Sequence, residues 1–111
     1  MGIQNWSDSI ILVNLAEEPY LGEELQTTLV MVADKADHDV VVDFAAVSLI
    51  TSSSLAKLLK LRKTLLENGH KLILCSAKPQ TKGIFRLTGL DKVFNFVDDQ
   101  FMALAGLQMV N

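Results

Sequence analysis

The chain has 111 residues, half of them hydrophobic, with 10 basic side chains against 13 acidic ones and a formal net charge of −3. That length suits one compact domain, residues 1–111, with enough apolar material for its own core. The mildly acidic balance lacks the basic footprint that non-specific nucleic-acid binding requires, and the single cysteine, Cys75, excludes an intramolecular disulfide.

From the N-terminus, "MGIQNWSDSI" shows no basic start followed by an apolar run, so no signal peptide is expected. "IQNW" (3–6) reads as a short first strand, Ser7-Asp8 as a turn, and the β-branched "SIILVNL" (9–15) as a strand. Pro19 and Gly22 then punctuate the chain. Leu25, Leu29, Val32 and Ala36 recur at helical spacing and predict a helix over 22–36, with Glu23 and Glu24 in the first turn where the helix dipole favours negative charge. "DHD" (37–39) is a polar loop, and "VVVDF" (40–44) a buried central strand. The whole apolar stretch 40–50 is interrupted by Asp43 and Ser48 and is too short to span a bilayer, so a soluble, cytoplasmic protein is expected.

A long helix follows the hydroxyl cluster "TSSS" (51–54). Helical numbering puts Leu55, Leu58, Leu59, Leu61, Leu65 and Leu66 on one broad face, and Lys57, Lys60, Lys63, Thr64 and Glu67 on the other. Arg62 falls inside the leucine stripe, its stem covering apolar surface and its head reaching water. Asn68-Gly69 stops the helix, with Gly69 free to turn left-handed. "KLILC" (71–75) is a further buried strand, 80–87 a short helix, "VFNFV" (93–97) an alternating strand and 98–107 a C-terminal helix. The order β–β–α–β–α–β–α–β–α predicts an α/β fold, a small, mostly parallel mixed sheet of four to five strands flanked by about four helices.

Enzymatic chemistry finds little support. No glycine-rich phosphate loop is present, and His38 and His70 stand alone in polar loops, where surface histidines are expected rather than metal ligands. Cys75 ends an apolar strand and reads as a small buried hydrophobe. The carboxylates of "AEEP" (16–19) and "GEEL" (22–25) read as solvated charge and dipole complement. No cofactor, metal or catalytic residue is expected.

The hydroxyl cluster is the feature with functional content. One Thr or Ser suffices as N-cap and stabilises by about 1 kcal/mol, yet four hydroxyls stand together. They lie beyond the carboxyl end of the strand 40–44, where sites form in open α/β sheets and where helix N–H groups favour anions. Capping, ordinary loop composition, anion binding and phosphate acceptance stay open on spacing alone.

"VVVDFAAVSLITSSSLAKLL" (40–59) resembles the core segment of STAS domains, typified by bacterial anti-sigma factor antagonists. Their strand ends in D-[FL]-[ST]-x-V, followed by a hydrophobic pair and D-S-S-G-L. Asp43, Phe44, Ala45 and Val47 fit the first part, Leu49 and Ile50 the pair, and Leu55 the last leucine. The "P-x-x-x-x-x-F-x-L-T-G-L" stretch from Pro79 and the later "VF" resemble the family's second half, so the likeness spans 9–107. The resemblance implies a non-enzymatic binding module of bacterial transcription regulation. It further implies that Ser52, with Thr51 and Ser53 as alternatives, is phosphorylated by a partner anti-sigma factor that is also a serine kinase. The partner surface is expected on Thr51, Ser52, Ser53, Ser54, Ala56, Lys57 and Lys60. Thr51 stands where the family has aspartate, and Ser54 where it has a glycine that lets a partner backbone approach. Those two departures motivate the alternative of a STAS subunit that does not cycle through phosphate and regulates a membrane transport complex or a signalling scaffold.

Overall fold

The computed structural model describes residues 2–34 and 37–109. In chain order the elements are β1 (Gly2–Asn5), β2 (Ile10–Asn14), α1 (Tyr20–Asp34), β3 (Asp39–Asp43), α2 (Ser52–Glu67), β4 (Leu72–Cys75), α3 (Pro79–Leu87), a 3₁₀ turn (Leu90–Lys92), β5 (Asn95–Val97) and α4 (Gln100–Met109). The sheet runs β1-β2-β3-β4-β5, with β1 antiparallel to β2 and every other pair parallel. This is the expected mixed α/β architecture of five strands and four helices.

Strand alternation sorts the core into two layers. Val13, Val42 and Leu74 lie side by side in register and face α1, α2 and α3 together with Leu25, Leu58 and Phe85. One residue back, Leu12, Val41 and Ile73 face the other way, onto Ala103, Leu104 and Leu107 of α4. Neighbouring parallel strands follow each other in sequence, so right-handed crossovers put their three helices on one face. Only α4, which follows the last strand, covers the opposite face. Phe85, fully buried, meets Phe44, Phe94 and Phe96 edge-on at centroid distances of 6.1, 5.6 and 5.0 Å. Each such pair contributes roughly 0.5–1.5 kcal/mol beyond area burial, so α3 is bound to β5 and to the residue that follows β3.

Several expectations shift at the margins. α1 begins at Tyr20, two residues early, and its anticipated end at 35 and 36 lies outside the described residues. The last strand keeps only Asn95–Val97, because Phe94 turns inward onto Phe85 and is 7% exposed. The six-leucine face splits. Leu55, Leu58, Leu61 and Leu65 are buried, whereas Leu59 and Leu66 flank that stripe and are exposed. His38 is not a surface residue: it is buried, with Nδ1 2.8 Å from the Asp37 carboxylate, on a loop drawn onto the sheet by the Asp39 N–H bond to the Ser9 carbonyl. His70 is half-buried, Nδ1 lying 3.1 Å from Asp39. Gly69 takes the expected left-handed φ of 76° and reverses the chain from α2 into β4.

Candidate functional site

The segment 44–51 joins β3 to α2, and its conformation is set from below and from the side. Below, Phe44, Val47 and Ile50 are buried. Asp43, itself 7% exposed, accepts from the Ala45 N–H (2.8 Å) and from Gln100 Nε2 (2.8 Å), so the end of β3 is tied to the first turn of α4. Phe44 N–H donates to the Cys75 carbonyl, and Thr81 Oγ1 donates to the Val47 carbonyl. The hydrophobic pair Leu49-Ile50 divides at this turn: Ile50 goes inside, and Leu49 is 61% exposed.

From the side, two glutamates preceding α1 hold the segment. Glu17 takes both the N–H and the hydroxyl of Ser48, at 2.7 and 2.8 Å. Glu18 takes the Thr51 N–H at 2.9 Å. The Ser48 backbone and side-chain bonds hold the Glu17 carboxyl below its ordinary range, with Lys78 adding to the effect. Burial pushes Glu18 up, but the bonds from Thr51, Ser54 and Gly22 outweigh it and leave that carboxyl lowered as well. Glu24 similarly accepts from the Ala16 N–H at 2.7 Å. Glu17, Glu18 and Glu24, expected as solvated charge, are therefore working acceptors that close two loops. The sequence signal was available: consecutive acids beside a proline lie next to a polar turn whose N–H groups need partners.

At the start of α2 the four hydroxyls part company. Thr51 is the N-cap, its Oγ1 accepting from the Ser54 N–H at 3.1 Å. Ser52 and Ser53 occupy the first two helical positions and are exposed. Their N–H groups are left over, because the Thr51 and Ser54 donors are used and Leu55 already bonds the Thr51 carbonyl.

Ser54, expected on the partner surface, is 2% exposed. One hundred degrees per residue turns the third helical position toward α1, where a Cβ on Gly22 would stand 3.3 Å from Ser54 Oγ. Its side chain thus occupies space between α1 and α2. Ala56 and Lys60 are exposed one and two turns beyond Ser52, whereas Lys57 is half-buried with Nζ 3.4 Å from the Gly22 carbonyl. The outward patch is therefore Thr51, Ser52, Ser53, Ala56 and Lys60, headed by Leu49.

Elsewhere, Cys75 is fully buried, and burial followed by the Asp43 charge raises its thiol to about 11, which removes it as a nucleophile. Among the described residues no group of three or more His, Cys, Asp or Glu is placed to hold a metal ion, and no helix is long and apolar enough to cross a membrane.

Comparison with known proteins adds a family. The sequence profile of the STAS domain matches residues 9–101. A Bordetella bronchiseptica protein named "Putative anti-sigma factor antagonist BtrV" is 28% identical over 86 residues, covering 78% of this chain and 74% of that one. Among solved structures, an anti-sigma-factor antagonist (STAS) domain protein from Planctomyces limnophilus superposes with a TM-score of 0.82 at 18% identity, over 97% of this chain and 99% of the other. The anti-sigma factor antagonist SpoIIAA in its unphosphorylated form gives 0.81 at 16% identity, over 96% and 94%.

Proposed function

Since the chain belongs to the STAS domain family, we propose that it is a binding module of the anti-sigma factor antagonist type, switched by phosphorylation of Ser52. The observation that carries this is the contrast within one helical turn. Thr51 and Ser54 are tied into the fold, while Ser52 is exposed at the first position of α2 with its hydroxyl unused. A group can be attached there without moving a core residue. The partner is an anti-sigma factor with serine kinase activity, which docks over Leu49, Ser52, Ser53, Ala56 and Lys60.

A phosphate adds roughly −1.5 to −2 charges. The two unused N–H groups and the helix dipole favour it by about 0.3–1 kcal/mol. Glu18, already bonded at Thr51, opposes it. These influences offset one another, so the fold is indifferent to the modification while the patch changes from neutral and cationic to anionic. The switch therefore acts on partner affinity and not on stability. The protein supplies the acceptor hydroxyl, and the kinase supplies the base and the nucleotide.

The test is incubation of the full chain with its cognate kinase-type anti-sigma factor and ATP, followed by peptide mapping, alongside capture in ADP with wild-type, Ser52→Ala and Ser52→Asp baits. One phosphate on Ser52, binding by wild type and Ser52→Ala, and loss of binding by Ser52→Asp are expected. Absence of phosphate from 51–54 together with no binding in ADP refutes the proposal. Recovery of a transporter subunit insensitive to Ser52→Asp replaces it with the non-cycling alternative.

A further inference from the structure

The other end of α2 carries a second feature. Arg62 and Leu66 from the last turns of α2, Lys71 from the start of β4, and Lys92, Phe94 and Asn95 from the approach to β5 line one cavity of about 310 Å³. The topology brings them together. Parallel β4 and β5 begin at the same edge, Ile73 opposite Asn95, and the left-handed turn at Gly69 returns the chain to the flank of α2. Three cations therefore converge from segments far apart in sequence, in a chain whose net charge is −3.

Their surroundings leave that charge unanswered. No carboxylate lines the cavity. Among the described residues none of the three cationic groups has an ion-pair or hydrogen-bond partner. Asp39, bonded to the Lys71 N–H, has its carboxylate engaged there and with His70. The Asn95 carboxamide is also without a hydrogen-bond partner among the described residues. Covering apolar surface with a long stem explains one such residue. It does not explain why three cationic residues from separate segments line one hollow with no carboxylate among them. Arg62 offers a planar fork suited to a phosphate, and the two lysines offer point charges. Phe94, almost fully buried, and Leu66 give the hollow an apolar wall. The volume is at the small end of ligand pockets, which run from roughly 300 Å³ upward.

We propose that this cavity is a binding site for a small phosphorylated ligand with a flat apolar body, of the aryl phosphate class. It is about 15 Å from Ser52 along α2, ten residues at 1.5 Å each, so it is separate from the docking patch and does not depend on that reading. The phosphate sits among Arg62, Lys71 and Lys92, and the ring lies against Leu66 and Phe94.

An amide-resolved NMR titration of the full chain with phenyl phosphate, and in parallel with phenol, tests this. Saturable shifts confined to the amides of Lys71, Lys92 and Asn95, half-complete near or below about 1 mM, are expected with phenyl phosphate and not with phenol. Arg62→Gln/Lys92→Gln should weaken binding at least tenfold, and the single surface change Lys92→Gln severalfold if the double variant fails to fold. Lys82→Gln, a lysine outside the cavity, should leave it unchanged. Absence of saturation, equal response to phenol, equal weakening by Lys82→Gln, or shifts confined to Ser52 and Ser53 would each overturn the assignment. So would binding of an acidic peptide in place of phenyl phosphate, which would make this a protein-docking surface.

Discussion

The two ends of α2 solve opposite electrostatic problems. At the first turn, Glu17 and Glu18 reach across from the approach to α1 and satisfy N–H and hydroxyl donors, so the loop is closed by anions before any partner arrives. At the last turns, Arg62 meets Lys71 and Lys92 without an internal counter-charge. One end thus has its loop donors met by acids from within the chain, while the other gathers cations with no carboxylate among them. A single amphipathic helix separates them and couples both to the core through Leu55, Leu58, Leu61 and Leu65.

The sharpest way to break this contrast is to remove the shared support. Leu58 is fully buried midway along α2, and Leu58→Ala should cost about 2–5 kcal/mol in urea unfolding, with both ends losing amide protection together. Protection lost at one end alone would show that the ends are held independently. Next, Thr51→Ala removes the cap and should cost about 1 kcal/mol, with hydrogen exchange accelerated in the first turn of α2 but not at Arg62.

A subtler probe addresses the α1–α2 approach. Gly22→Ala would place its Cβ 3.3 Å from Ser54 Oγ and 3.4 Å from Lys57 Nζ. The substitution should be better tolerated in a Ser54→Gly background than in the wild type, with a coupling of roughly 0.5–1 kcal/mol in a double-mutant cycle. Strict additivity would mean that the helices separate freely there.

The smallest effect is that of pH. Glu17 and Glu18 titrate below their ordinary value when folded, so the unfolded chain binds protons more readily. Their contribution to stability is complete above the ordinary carboxylate value near 4.5 and is lost as pH falls through the lowered folded values. Solvent screening at these partly or wholly exposed groups keeps the effect small. Glu18→Gln should flatten the dependence of unfolding free energy between about pH 5 and 3, while Lys92→Gln, at the opposite end, should leave that slope unchanged.

Much of the molecule was legible before folding was considered. The compact apolar runs "IILVN" and "VVVD", the leucine spacing of α2 and the Asn68-Gly69 stop are local signals, and they predicted element order and sheet type. Legibility failed where one residue had two defensible orientations. Leu59 and Leu66 share the broad leucine face by helical angle yet are exposed, because a helix buries only as wide a stripe as its neighbours cover. His38 failed for the converse reason, a polar residue accepted inside once Asp37 partnered it.

By itself, then, the sequence determined the α/β order, the apolar strands and the run of hydroxyl residues at the head of a leucine-rich helix, because each depends on spacing within a few residues. Only the tertiary structure decided which hydroxyl is spare, which acids close the loop and which cations converge. Those relations join positions more than 30 residues apart, Ser48 to Glu17 and Thr51 to Glu18, or gather side chains from the ends of three elements. No periodicity encodes them; they follow from the parallel crossovers that bring the ends of distant elements together.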